Sequence, residues 1–293
     1  MARLEYCCNK IEHSNDLLSV VKTMKAMAAV SIRQYEEAVQ ALSQYSHTVD
    51  LGLQILLQRH PSILRSMTEE KPGAIGAIVF SSDLGMCGQF NQDIAALVEE
   101  QEFMQHTDPS KLFMISMGER IDALLRSDGL PVRQKFWLPG SVKGITTRVQ
   151  DILFQIEEWR EAHELARIVL FFNQKQSGSS YKPNVAQLWP LDAEWMYVLI
   201  QKEWPTRGLP DFRTEPRKLL SALVQQYFFV MLYQAFAESL ASENASRLAA
   251  MQAAEKNINE HLEELTTQYN HERQSSITSE LLDIVSGFEA LES

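Results

Sequence analysis

Residues 1–51 contain neither glycine nor proline. Within them a seam returns at every third or fourth position, through Ile11, Ser14, Leu18, Val21, Lys25, Ala28, Ile32, Tyr35, Val39, Leu42, Ser46 and Val49. That period predicts a coiled-coil helix over residues 1–60. Polar Ser14, Lys25 and Ser46 interrupt the seam, which argues against a plain leucine zipper and suits a device that fixes register. At ~1.5 Å per residue the helix would reach roughly 75 Å, far beyond an average helix.

The other end repeats the pattern. Arg217 to Ser286 again lacks glycine and proline, predicting a C-terminal helix over 217–293 whose unbroken part would reach roughly 105 Å. Its seam runs through Leu248, Met251, Ile258, Leu262, Leu265 and Tyr269, then shifts phase to Ile277, Leu281, Ile284, Phe288 and Leu291. A change of phase in one helix implies a change of neighbour. Alanine-rich Ser242–Asn257 and Met24–Val30 would let two backbones approach closely. Helices that leave and re-enter one central segment pack antiparallel, so Ala28 is expected opposite Ala249, Leu53 near Val224 and Met1 near Ser276. Leucine at Ala249 would then overpack the contact by ~1–3 kcal/mol. Beyond the seam the last residues would continue as a lone helix with an apolar tip, which a partner should sheathe.

Between the helices the pattern changes to short apolar runs, Gly73–Phe80, Lys111–Ser116 and Arg167–Phe172, alternating with helical stretches Asn91–Gln105 and Thr146–His163. Continuous hydrophobicity suits strands covered on both faces, so 71–203 reads as a largely parallel, Rossmann-like α/β domain. Gln174–Lys182 reads as a polar turn or disordered excursion, and Trp204–Pro216 as a connector. The fold class is therefore α/β, with a long antiparallel coiled coil of the terminal helices.

Candidate chemistry is sparse. Ser81–Asn91 follows a strand and precedes a helix, where phosphate-binding loops often sit, but it lacks the lysine of a phosphate loop and the spacing of a dinucleotide fingerprint. The bland reading is a tight turn with Gly85 and Gly88 at positive φ. Cys87 at the start of a helix would be acidified as a nucleophile, yet no base is evident beside it. The seven histidines show no close ligand spacing, so no metal and no cofactor are expected. Three cysteines give no disulfide framework. A formal charge of −11 argues against nucleic acid, and no window approaches ~20 uninterrupted apolar residues, so no membrane span is expected. The N-terminal MARLEYCCNKIEHSND shows no signal or transit character.

The run SENASRLAAMQAAEKNINEHLEELTTQYNHERQSSITSELLDIVSGFEAL resembles the signature of the γ subunit, the central stalk, of F-type ATP synthases. Val21–Ala29 is similar to that family's N-terminal element and Ser82–Asn91 to its glycine-bearing loop, while from about Met104 to Arg213 the likeness fades to architecture. The resemblance implies a non-catalytic rotor shaft that transmits torque between an ion-driven membrane ring and a catalytic head. Implied partners are the α and β subunits of the head, an ε-like stalk subunit and the c-type rotor ring. It implies that Arg273 and Gln274 meet catch loops of the head. Met24 and Arg247 would lie together near a β lever, with Lys22, Lys25 and Arg33 facing its acidic surface. Ile284, Val285, Phe288 and Leu291 would turn in an apolar sleeve. Leu84 and Gln89–Phe90 depart from the family loop, which fits an alternative, sodium-coupled branch. The expected location is the cytoplasmic face of a prokaryotic cell membrane, as a peripheral protein. Rival readings are an α/β enzyme with helical oligomerisation arms and a pocket around Ser82–Gly88, a coiled-coil tether, or the stalk of the archaeal or vacuolar machine.

Overall fold

The computed structural model describes residues 2–69, 72–176, 180–205, 208 and 210–292. In chain order the elements are α1 (Ala2–Arg59), α2 (Ser62–Thr68), β1 (Ala74–Phe80), α3 (Phe90–Glu100), α4 (Glu102–Gln105), β2 (Leu112–Met117), α5 (Glu119–Ser127), β3 (Val132–Phe136), α6 (Val142–His163), β4 (Leu165–Lys175), β5 (Tyr181–Trp189), α7 (Ala193–Gln201) and α8 (Pro216–Glu292). The chain divides into two compact units, one of residues 1–28 with 247–293, the other of residues 29–246.

The first unit is an antiparallel helix pair. On α1 the positions Ile11, Ser14, Leu18, Val21, Lys25 and Ala28 are buried or half-buried while most of their neighbours are exposed. On α8 the facing seam is Leu248, Met251, Ile258, Leu262, Leu265 and Tyr269. Two ion pairs fix direction and register, Lys25 with Glu255 and Arg3 with Glu272, the latter at 3.5 Å. The tightest small residue here is Ala28, 1% exposed, whereas Ala249 is only half-buried. The overpacking expected at Ala249 therefore belongs to Ala28, because a half-open site lets a larger side chain swing into solvent.

The second unit is a three-layer α/β body joined to its own stretch of helix pair. Its five-stranded sheet has the order β3-β2-β1-β4-β5. The β1–β2, β1–β4 and β2–β3 pairs are parallel, and β5 runs antiparallel along β4. Alternation along each strand sorts the side chains into two cores. Ile78 and Phe80 of β1, Ile115 of β2 and Leu170 of β4 join the cluster that takes in α6, α1 and α8, through residues such as Leu53, Leu232 and Phe236. Ala77, Val79, Met114 and Phe171 join Ile94 and Val98 of α3 and Ile121 and Leu125 of α5. Phe80 meets Phe236 edge to face at 4.8 Å between ring centres. Gly52 of α1 gives room to Leu223 of α8, since a Cβ there would lie 2.6 Å from a leucine methyl. That close approach offsets the ~1 kcal/mol by which glycine weakens a helix interior.

The three expected strands are present, within two residues at their starts, and β4 extends through Lys175. The expected helix over 91–105 is two helices divided at Gln101. The edge strands β3 and β5 were not anticipated. VRQKF alternates over only five residues, and YKPNVAQLW carries a proline and few apolar positions, so neither has the run that marks a buried strand. Consequently the two ends of Gln174–Lys182 are the end of β4 and the start of β5, and just inside them Gln176 donates its N–H to the Ser180 carbonyl at 2.9 Å. Residues 177–179 of that interval, and 206, 207 and 209 of the connector, lie outside the described residues.

An 18-residue stretch of α8 has mean hydropathy 1.3, long and apolar enough by length and composition to cross a membrane, with 28% of it buried. The same helix supplies Val224, Phe228, Leu232 and Phe236 to the core beside the sheet, and a core helix has this composition too.

Ala28→Leu is expected to destabilise the helix pair by ~1–3 kcal/mol through overpacking, and Ala249→Leu by less. Urea denaturation followed by circular dichroism checks both; equal effects would contradict the burial difference.

Candidate subunit-contact surfaces

The residues singled out for contact fall into three groups. Lys22 and Arg33 are exposed on α1, and Met24 is half-buried. Lys25, which the seam spacing places against the partner helix and the resemblance places against an acidic lever, is half-buried and its ammonium is held by Glu255 across the helix pair. Its charge is answered within the chain, so it serves register before it serves a partner. Arg247 is half-buried on α8.

Further along α8, Arg273 and Gln274 are both exposed. After the ion pair of Glu272 with Arg3, the helix carries Ile277 at 48% exposure, Leu281 at 58%, Leu282 at 60%, Ile284 at 62% and Val285 at 53%. Side chains this apolar, open on adjoining faces of one helix, form the kind of patch that marks an interaction surface. Phe288 and Leu291 belong to α8, but their side chains lie outside the described residues.

The third group is the loop at the C-terminal edge of β1. Ser82 donates its N–H to the Asn91 carboxamide oxygen at 3.0 Å, and the Asn91 amide donates to the Ser82 hydroxyl at 2.9 Å. Cys87 is 1% exposed, its sulfur 3.6 Å from the Ser82 hydroxyl and 3.7 Å from the Asn91 amide nitrogen. This thiol is packed inside the turn and offers no face to a substrate. The positive-φ residues are Met86 (62°) and Gly88 (59°), not Gly85 and Gly88. Gly88 is needed for packing as well, since a Cβ would approach the Ser246 hydroxyl of α8 to 3.4 Å, and that hydroxyl donates to the Cys87 carbonyl at 2.5 Å. The small residues around Ser242–Ser246, all but Asn244 buried, thus admit this loop to the helix as well as helix to helix.

Asp83 clamps the loop to its neighbours, its carboxylate accepting from the Glu119 N–H at 3.1 Å and the Leu138 N–H at 3.0 Å. Burial holds this carboxyl above the ordinary carboxylate range, against the opposing pull of the two N–H donors. Around it Leu84, Met86 and Trp137 are exposed, at 63%, 57% and 57%. This apolar edge was missed in the sequence; its signal was two bulky residues placed in a glycine-bearing turn. A cavity of about 630 Å³ lies between α6 and α8, lined in part by Phe154, Trp189 and Phe228, and one of about 350 Å³ lies beside α4. Neither includes any residue of 82–88, so the pocket that the enzyme reading requires is not among them. Among the described residues no group of three His, Cys, Asp or Glu side chains could hold a metal.

A family model described as ATP synthase matches residues 4–291. A relative named ATP synthase gamma chain, from Anaeromyxobacter dehalogenans, is 30% identical over 93% of each chain. The chain belongs to the ATP synthase gamma-chain family. Gamma chains from Geotalea uraniireducens and Salinibacter ruber are 28% and 29% identical over 99% and 100% of this chain and 99% of each relative. The fold is similar to the rotor of Euglena gracilis mitochondrial ATP synthase, with a TM-score of 0.63 at 16% identity over 94% of this chain and 99% of that one. It is also similar to a chain of the central stalk and c-ring of the Tetrahymena thermophila enzyme, with a TM-score of 0.60 at 20% identity over 80% and 99%. The match of the gamma-chain family across nearly the whole length leaves no room for the helix-only archaeal or vacuolar stalk.

Asp83 gives a test of the loop clamp. Because its folded pKa is raised, the native state binds the extra proton between the ordinary value and the raised one, so this group's contribution is present at low pH and is lost as pH rises through that window. Asp83→Asn should flatten that slope in urea titrations that start at the ordinary carboxylate pKa and run upward. With one carbonyl in place of two carboxylate oxygens, it should also leave one N–H unanswered and cost ~1–3 kcal/mol. An unchanged slope would count against the raised carboxyl.

Proposed function

We propose that this chain is the central rotor shaft of an F-type ATP synthase, transmitting torque between an ion-driven membrane ring and a head of α and β subunits. The observation that carries this reading is the helix pair whose α8 continues past the Arg3–Glu272 pair into an exposed apolar segment, in a chain matched by the family from residue 4 to 291. A partner that encloses this segment removes its apolar surface from water.

The chain contributes no catalytic group: ATP chemistry belongs to the head, and this subunit changes the head's sites by turning inside it. Arg273 and Gln274 would reach the polar catch loops of the head, and Lys22, with Met24 and Arg247 nearby along the pair, would face its levers. Ile284, Val285, Phe288 and Leu291 would occupy an apolar sleeve. The α/β body would sit on the c-type ring together with an ε-like subunit. The complex is membrane-associated, and we place this chain on the cytoplasmic face of a prokaryotic membrane as a peripheral protein.

The test is assembly and turnover. The isolated chain is expected to hydrolyse no ATP, and to copurify with α and β subunits when coexpressed with them. ATP turnover by the chain alone would overturn the reading. Ile284→Asp should weaken association with the head by about tenfold, from the ~1.4 kcal/mol or more of apolar burial lost, as measured by titrating the variant against a preformed α and β ring. Undiminished affinity would remove the sleeve from the proposal.

A further inference from the structure

Within the unit of residues 29–246 the α/β body is tied to α1 at two separate stations. At one, Gln54 donates its side-chain N–H to the Lys202 carbonyl at 2.6 Å and Gln58 donates to the Ile200 carbonyl at 2.9 Å. These bonds join α1 to the end of α7. At the other, Lys175 at the end of β4 forms an ion pair with Glu36 of α1. Eighteen residues of helix separate Glu36 from Gln54, a spacing of roughly 27 Å. Between the stations α1 contributes buried Val49 and Leu53 to the shared apolar core, with Tyr35 and Leu57 next to the stations themselves.

Apolar contact is non-directional and roughly proportional to area, so it resists separation far better than it resists sliding. Hydrogen bonds and ion pairs weaken steeply with misalignment. A body held by one polar station could pivot about it, whereas two stations along the same helix oppose both twist and tilt. The Lys175 side chain is 20% exposed and that of Glu36 44%, so this pair has less solvent screening than an open surface pair. Beside it, on the adjoining helix, the Ser246 hydroxyl holds the Cys87 carbonyl. The same edge of the sheet is therefore fastened to α1 by charge and to α8 by a hydrogen bond.

We propose that Lys175 and Glu36 form a torsional clasp, a pair of positioning residues that makes the α/β body and the helix pair turn as one piece when torque is applied to the body. The inference rests on the shaft reading above. It assigns the two residues no contact with nucleotide or ion; they act by limiting the angle through which the body rotates before the helices follow.

The experiment uses the assembled complex, with the head fixed and locked by nucleotide and a bead attached to the α/β body, and reads thermal angular fluctuation as torsional stiffness. Lys175→Met and Glu36→Gln are each expected to raise the angular variance about twofold, and the exchange Lys175→Glu with Glu36→Lys to restore it, as a pairwise coupling requires. Thermal unfolding of the same variants accompanies the measurement. Unchanged variance in both single variants overturns the clasp. So does a rise that the exchange fails to reverse while unfolding temperatures fall, because that is the mark of a general structural role. A wild-type complex that does not rotate under ATP overturns the shaft reading itself, and is distinguished from failure of the clasp by the wild-type trace alone.

Discussion

The α1–α8 seam governs the rest of the molecule, and its physical character differs along its length. In the unit of residues 29–246, α8 is packed on several sides: Ala235, Phe236, Ala237, Leu240, Ala241 and Ala245 are all nearly inaccessible, because the sheet covers what α1 leaves open. In the unit of residues 1–28 with 247–293, the seam is narrow, and among the described apolar residues only Cys7, Leu18, Ala28, Met251 and Leu265 are buried. A helix pair with so thin a stripe gains little from burial relative to the entropy of ordering its residues. Directional pairs such as Lys25–Glu255 then carry a larger share of the specification, since a single charged position inside a seam sets register at some cost in stability.

Much of this was legible because heptad spacing is a one-dimensional signal. All twelve α1 seam positions picked from the sequence are buried or half-buried, and the change of phase after Tyr269 coincides with the point where exposure of Ile277 and Leu281 begins. Buried parallel strands were also readable as uninterrupted apolar runs. What escaped was set by tertiary context. β3 and β5 are edge strands whose polar faces look like loop. Met86 takes a positive φ in the turn just before buried Cys87, whereas the sequence favours the neighbouring Gly85. The orientation of Lys25 toward Glu255 depends on a residue 230 positions away, a distance at which local pattern is silent.

The loop of residues 81–91 shows how a motif can look catalytic and be structural. A glycine-bearing turn between strand and helix is where α/β proteins place phosphates, but a site needs donors left over for the ligand. Here the Ser82 N–H, the Asn91 amide and the Asp83 carboxylate are engaged with one another's loop or with Glu119 and Leu138. Asn173 and Tyr181 add further ties, to the Phe90 carbonyl at 2.9 Å and the Asp93 carboxylate at 2.6 Å. The turn is spent on joining sheet, α3 and α8, and what it presents outward is apolar, Leu84 and Met86.

A shaft has two opposite demands on its surface, and the division of residue types along α8 meets both. Where the chain must turn freely inside an enclosing partner, contact should be apolar, because hydrophobic attraction has no preferred angle and is nearly unchanged as one surface slides past another. The segment Ile277–Val285 has that character on several faces at once. Where rotation must be felt, contact should be directional, because a hydrogen bond or ion pair changes steeply with angle and so converts a rotation into a difference in energy between states. Arg273 and Gln274 stand at the border between the paired and the lone part of the helix, so on the proposed role the first directional contacts occur where the helix pair ends and its asymmetric cross-section gives way to a single helix. The same division recurs lower down, where apolar packing of the sheet on α8 supplies cohesion and polar fastenings supply angle.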